Sequence, residues 1–530
     1  MNQPIYKSYR TFAATCALAT AMAIPAATYA GEVTLKSADG TVNLVGEFIE
    51  FTDNNYVIRT GLGDLRISAS RVSCIGDDCP TFTTTEADVN IGGSDTIAQG
   101  VMPLLVSGYG AFLGADATQT ATGVDGQFLT DMVGEQGFGD PIGSYLVTST
   151  SSDASFAALL DDTIQIGMSA RRITPDEARA LRDAGGGQMI SPDQEHIIAS
   201  DSLVFITHPS NPVKSMSLEQ LRAVLTGEIT NWAELGGEDA PIQLVLPTEG
   251  TPSKELIDDK IFDGGEPEVP ANSLEIDNDT EAAAYINANA NALGMVGYAF
   301  QRGAQAMTLI NDCGLTMVPE AFSVRTEEYA LQRPLYLYTR ADTATEATTA
   351  FVDYATSNAA DEVIAKAGFI DLGVDRHAQP LDGDRAKALL DPNADAYEAG
   401  FMREMLGQMV NYDRLSTTFR FRTGSQNLDL RGELNIARLT DYLETQPQGT
   451  KIMFVGFTDS VGAFDSNREL SKSRADQVMS ALQSYASDRL SGVEMTTTGF
   501  GSIAPAACNT SEAERQVNRR VEVWIEAANG

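Results

Sequence analysis

Residues 454–478, FVGFTDSVGAFDSNRELSKSRADQV, constrain this chain more than any other stretch. The apolar run at 452–455 reads as a buried strand. Gly456 interrupts it, Thr458 and Asp459 stand where the strand ends, and a loop rich in Gly and Asp follows. From Asn467 to Tyr485 the apolar residues Leu470, Ala475, Val478 and Leu482 recur at helical spacing. A strand–loop–helix unit brings Asp459, at the strand end, and Arg474, within the helix, to one crevice. A carboxylate beside a guanidinium suits a zwitterion: Asp takes an ammonium group, and Arg grips a carboxylate with two parallel donors. The plainer alternative is that the two residues cap and pair on a surface helix, the commoner fate of such pairs.

The segment continues into Asn518-Arg519-Arg520-Val521-Glu522. Together with Thr458-Asp459, Gly462, Asn467, Leu470-Ser471 and Arg474-Ala475, this resembles the OmpA/MotB C-terminal family, whose members bind peptidoglycan. One departure is Phe457, where the family often has His. The resemblance implies that Asp459 and Arg474 hold the diaminopimelate of the stem peptide, supported by Asn467 and Arg519. It also implies a periplasmic location, attachment to peptidoglycan and association with the outer membrane.

At 530 residues the chain is long enough for three or four domains. Its formal charge of -37 makes nucleic acid a poor partner, because phosphate backbones require a basic face. Residues 1–30 read as a secretory signal: Lys7 and Arg10 form the charged start, residues 12–24 an apolar run, and Thr28-Tyr29-Ala30 a small-x-small cleavage site. Retention of this segment as an anchor is the alternative, although the run is short for a membrane span. Export places Cys74, Cys79, Cys313 and Cys508 in an oxidising compartment. Cys74 and Cys79 flank a turn-like Ile-Gly-Asp-Asp and are expected to pair. Cys313 and Cys508 either bridge two domains or stay free. The three histidines do not cluster with cysteine, so no metal site is expected.

Residues 31–80 alternate apolar and polar residues between turn signals and read as a small β domain. From 84 to 374 strands alternate with helices. Four turns carry hydroxyls at a strand end or helix start, where backbone N–H groups favour an anion. They are GGSDT at 92–96, STSSDA at 149–154, IGMSARRI at 166–173 and TEGTPSKEL at 248–256. Singly, each is more often a plain helix cap. With TGEITNWAELGG at 226–237, these stretches resemble the phosphate-binding proteins of ABC transporters (PstS-like). The resemblance implies anion contacts from Thr96, Ile97, Ser151, Ser152, Ser169, Arg171, Thr251 and Ser253, with lobe closure over the ligand. Two departures bear on the ligand. The family's Asp after the third-turn Ser is Ala170 here, and the Arg that begins its fourth loop is Pro247, so Arg171 is expected to supply the guanidinium.

The fold class expected is α/β and multidomain. It comprises a small N-terminal β-meander or barrel, a two-lobed type 2 periplasmic-binding-protein fold, a helical connector at 375–412 and an OmpA-like α/β sandwich at 413–530. The function expected is an exported protein that binds phosphate or a similar oxyanion and is tethered to peptidoglycan. No nucleophile motif or P-loop is present, so neither an enzyme nor a cofactor is expected. The rivals are a structural envelope protein whose binding cleft takes no anion, and a hydrolase of phosphate esters.

Overall fold

A computed structural model describes residues 32–37, 42–52, 55–61, 63–68, 72–76, 79, 87–248, 251–262, 264–265, 267–276, 278–392, 394–421 and 428–527. The signal segment at 1–30 and Gly250 of the fourth turn lie outside them.

Strands β1 (Glu32–Lys36), β2 (Asn43–Thr52), β3 (Asn55–Thr60), β4 (Gly63–Ser68) and β5 (Ser73–Ile75) form one antiparallel sheet in the order β4-β3-β2-β1-β5. Val33, Leu35, Tyr56 and Ile58 line its buried face, as the alternation requires. A disulfide joins Cys74 to Cys79 beside this core.

The central domain is built on an eleven-stranded sheet. Its first lobe carries β6 (Val89–Ser94), α1 (Asp95–Gly100), β7 (Asp116–Ala121), β8 (Gln127–Val133), β9 (Pro141–Thr150), α2 (Ser152–Leu160) and β10 (Ile166–Ser169). β11 (Glu195–Thr207) then crosses to the second lobe, which carries β12 (Gln243–Leu246), α3 (Pro252–Ile261), β13 (Leu274–Glu275), α4 (Asp279–Ala288), β14 (Ala292–Gly297) and α5 (Ala321–Arg325). β15 (Gln332–Thr339) returns to the first lobe, followed by α6 (Asp361–Lys366). The order β13-β12-β14-β11-β15-β10-β6-β9-β8-β7 runs through both lobes, and the eleventh strand, Gln305–Ala306, pairs with β11 off this path. β11 pairs with β15 over Glu195 to Ser202 and with β14 over Leu203 to Thr207, so the two long strands form the hinge. Gly93 lets β6 lie against β10: a Cβ there would come within 2.1 Å of the Met168 carbonyl.

The C-terminal sheet has the order β16-β17-β20-β18-β19, from β16 (Arg376–His377), β17 (Tyr412–Arg420), β18 (Lys451–Gly456), β19 (Glu494–Gly499) and β20 (Arg520–Glu526). Strand alternation splits its side chains between two cores. Ile452 and Phe454 face α9 (Leu430–Glu444) and α10 (Phe464–Ala486). Met453, Val455 and Trp524 face α7 (Asp384–Ala388) and α8 (Glu398–Met409) of the connector. The connector is thus one layer of the sandwich. The run-breaking Gly456 has a packing role: a Cβ there would sit 1.9 Å from the Ser471 carbonyl of α10. Among the described residues, no helix is long and apolar enough to cross a membrane.

Cys313 and Cys508, left open by the sequence, are bonded across 195 residues and join the second lobe to the C-terminal domain. A non-reduced digest should yield two linked peptide pairs, Cys74 with Cys79 and Cys313 with Cys508. Recovery of any of the four as an alkylated thiol overturns that pairing.

Candidate functional site

The first candidate site is the crevice at the end of β18. Asp459 is nearly buried, and its two oxygens have different partners. Oδ1 accepts the Val461 N–H at 3.0 Å, and Oδ2 accepts Arg519 Nη1 at 2.8 Å. Arg519 also donates to Glu512 and Gln516, each at 2.5 Å, which fixes its direction. Asn467, buried at the start of α10, donates to the carbonyls of Val461 at 3.2 Å and Asp459 at 3.4 Å, holding the loop closed. Arg474 reaches the same crevice from α10, its guanidinium 5.6 Å from the Phe421 ring. Its Nη1 is buried with no hydrogen-bond partner among the described residues. Burial and the neighbouring Arg519 hold the Arg474 guanidinium below its ordinary value, while Asp459 acts in the opposite sense. Asp459, Asn467, Arg474 and Arg519 are therefore brought together. A buried guanidinium with an unused donor favours a carboxylate, because an unmet donor costs about 1–3 kcal/mol or more.

The second candidate site is the cleft between the lobes. Ser151 caps α2 by accepting the Ala154 N–H, and the buried Ser152 Oγ accepts the Ala170 N–H at 3.1 Å. Neither bond uses the hydroxyl hydrogen. The other turns are more occupied. The Thr96 N–H, at the start of α1, donates to the Asp95 carboxylate at 2.7 Å. Ser169 donates to the Arg171 carbonyl at 2.6 Å, and Thr251, the cap of α3, donates to the Thr248 carbonyl at 2.9 Å. Ile97 is a core residue. Arg171 is wired to Asp153, to Glu177 at 2.7 Å and to the Arg172 carbonyl, and lies over the Phe156 ring.

The cleft contains another guanidinium, which sequence reasoning missed. Arg333, on β15, is buried; its Nε and Nη2 donate to Asp201 on β11 at 3.0 and 2.8 Å. Its Nη1 donates to Ser253 Oγ at 3.2 Å, which leaves that hydroxyl hydrogen available as well. Asp279, at the start of α4, accepts the Gly297 N–H at 3.1 Å. Burial pushes the Asp279 carboxyl up to about 6; Arg333 opposes this shift, and Asp201 and Asp95 reinforce it. Asp95 of the first lobe thus acts across the cleft on Arg333 and Asp279. The visible signal was a charge inside an apolar strand, LQRPLYLYT at 331–339. Such a residue is almost never fully buried without a partner.

The segment TGEITNWAELGG serves as scaffold. Asn231 caps a short turn, and Trp232 is buried in the second-lobe core with its Nε1–H donated to the Asn291 carbonyl at 2.9 Å.

The molecule is a two-lobed binding domain joined to an α/β sandwich. Residues 83–359 match the PBP superfamily domain, and the chain belongs to that superfamily. Residues 420–519 match the OmpA family. Phosphate-binding protein PstS of Borreliella burgdorferi is 23% identical over 224 residues, covering 41% of this chain and 76% of that protein. Outer membrane porin F of Pseudomonas fluorescens is 38% identical over 93 residues, 18% of this chain and 27% of that protein. Among solved structures, an ABC-type phosphate transport receptor from Vibrio cholerae aligns with 53% of this chain and 99% of its own, at 20% identity and a TM-score of 0.39.

Proposed function

We propose that the chain is an exported envelope protein that takes phosphate or a similar oxyanion between its lobes and is held to peptidoglycan through its C-terminal domain. The tether reading rests on Arg474, a buried guanidinium with an unused donor beside the Asp459–Arg519 pair. For the anion we assign Ser151, Ser152 and Ser253 as hydroxyl donors and Arg333, in place of Arg171, as the guanidinium. The phosphate-binding relatives support this reading, and neither family named above is a family of enzymes.

The charge balance of the cleft yields a test. Asp95, Asp201 and Asp279 surround Arg333, so an ionised Asp279 opposes an anion. As pH falls through about 6, Asp279 gains a proton and this opposition weakens. Sulfate keeps its charge over that range and is the suitable probe. Calorimetry should show phosphate binding with sulfate competing, sulfate affinity rising from pH 7.5 to 5.5, and Asp279→Asn abolishing the rise. A flat sulfate profile in the unmodified chain removes Asp279 from the site. Ser152→Ala with Ser253→Ala should weaken both anions while leaving the Arg333–Asp201 pair in place.

A second reading, a structural envelope protein with no anion, is favoured by one observation: the Asp95 carboxylate already occupies the Thr96 N–H. Absence of heat and of thermal shift with either anion selects it.

A further inference from the structure

The C-terminal domain is bonded to both lobes of the binding domain and to the hinge between them. On the second lobe, Arg414 of β17 makes a two-pronged pair with Glu328 at 2.7 and 3.0 Å. Arg420 of the same strand pairs with Glu327 and donates to the Thr326 carbonyl at 3.0 Å. The Cys313–Cys508 disulfide fastens the same lobe a second time. On the first lobe, Arg438 of α9 donates to both oxygens of Asp361 at 2.7 Å and to the Thr356 carbonyl at 2.5 Å. Leu430 and Leu434 of α9 pack against the first-lobe core. Between these attachments, Arg431 reaches Ser200 on the hinge strand β11 at 3.3 Å.

The side chains of Arg414, Arg420 and Arg438 are only 6%, 5% and 3% exposed, so these are not solvated surface pairs. Breaking a buried pair leaves a charge without a partner in a medium of low polarity. Rotation of one lobe against the other must shear either the Glu327/Glu328 attachments or the Asp361 attachment, because one rigid sheet-and-helix body carries both sets. A ligand moves such an equilibrium only by the difference in its affinity for the two states.

We propose that the C-terminal domain is a splint that fixes the angle between the lobes. The cleft then receives its ligand without hinge closure, and the protein works as a stationary receptor at the wall, distinct from a binder that closes, diffuses and reopens. Only the ligand arm of the test rests on the anion reading.

Spin labels on Asp161→Cys in the first lobe and Glu219→Cys in the second lobe, both exposed, report the interlobe distance in the full chain. The splint predicts one narrow distribution that shifts by less than about 2 Å in saturating phosphate. It also predicts that Cys313→Ser with Cys508→Ser, which leaves no extra thiol for the label, combined with Arg438→Met broadens the distribution. A broad distribution in the intact chain, a larger shift with phosphate, or a severed variant as narrow as the intact one overturns it. If calorimetry finds no phosphate binding, the anion reading fails, and the ligand-free widths of the intact and severed chains still decide. If the severed variant does not fold, the width in the intact chain decides alone.

Discussion

The protein is expected to pellet with peptidoglycan that contains diaminopimelate, and Asp459→Ala or Arg474→Ala to leave it in the supernatant. The two substitutions fail for different reasons. Asp459→Ala removes the acceptor of the Val461 N–H and leaves Arg519 held by Glu512 and Gln516 alone, so an ammonium group loses its counter-charge. Arg474→Ala removes the guanidinium whose Nη1 has no partner within the described residues and leaves the Asp459–Arg519 pair intact. Losing one partner of a desolvated charge pair costs roughly 2–5 kcal/mol, which takes a bound fraction to background. Arg474→Lys keeps the charge without the fork and should recover only part of the binding. Equal sedimentation of the unmodified chain and both alanine variants would sink the tether.

The second large effect is expected at Glu522, which lies in the fully buried part of β20. Its carboxylate receives Arg385 at 2.5 and 2.9 Å, Arg520 at 2.8 Å and the Trp524 indole N–H at 2.8 Å. Arg414 approaches it at 3.2 Å. Burial alone would raise the Glu522 carboxyl; the guanidinium groups of Arg385, Arg414 and Arg520 outweigh it and hold the group well below the usual carboxylate range. Glu522→Gln keeps the shape and strips the charge, leaving Arg414 and Arg520 with Glu328 and Arg385 with no acidic partner among the described residues. Breaking such a buried arrangement costs about 3–5 kcal/mol, a fall in melting temperature on the order of 10 °C. Lys451→Ala, which cuts a half-exposed pair to Glu526, should cost less than about 1 kcal/mol. In the unmodified chain the stability contributed by Glu522 is present above the unfolded carboxylate value near 4.3, and is lost as pH falls through its lower folded value. A Glu522→Gln midpoint within 1 °C of the unmodified chain would refute the role assigned to that carboxylate.

The C-terminal crevice was legible because its chemistry is local. Asp459 follows one strand, and Asn467 and Arg474 fall on the helix after it; periodicity places Asp459 and Arg474, and the motif adds Asn467. The run Asn518 to Glu522 was legible as a motif but not in its roles. Asn518 accepts the Ala506 and Ala507 N–H groups, Arg519 orients Asp459, and Arg520 and Glu522 belong to the buried network. The cleft was less legible. Hydroxyls at helix starts mark caps as well as ligands, and only the fold distinguishes Ser152, whose hydroxyl accepts an N–H and donates to no partner among the described residues, from Ser169, whose hydrogen is committed. Arg333 meets Ser253 across 80 residues, and Cys313 meets Cys508 across 195; no window of sequence contains either pair.

The folded connector has a consequence for reach. A coil of roughly forty residues spans about 35 Å and would let a tethered domain sweep a wide volume around its anchor. Here the corresponding segment forms the edge strand β16 and the helices α7 and α8, which cover Met453, Val455 and Trp524. Among the described residues of the connector, no slack chain separates the cleft from the crevice that would hold the stem peptide. On the proposed tether, the mouth of the cleft would stand at a set height above its anchor point, like a mark on a ruler. Its supply of small anions would then be whatever diffuses to that height.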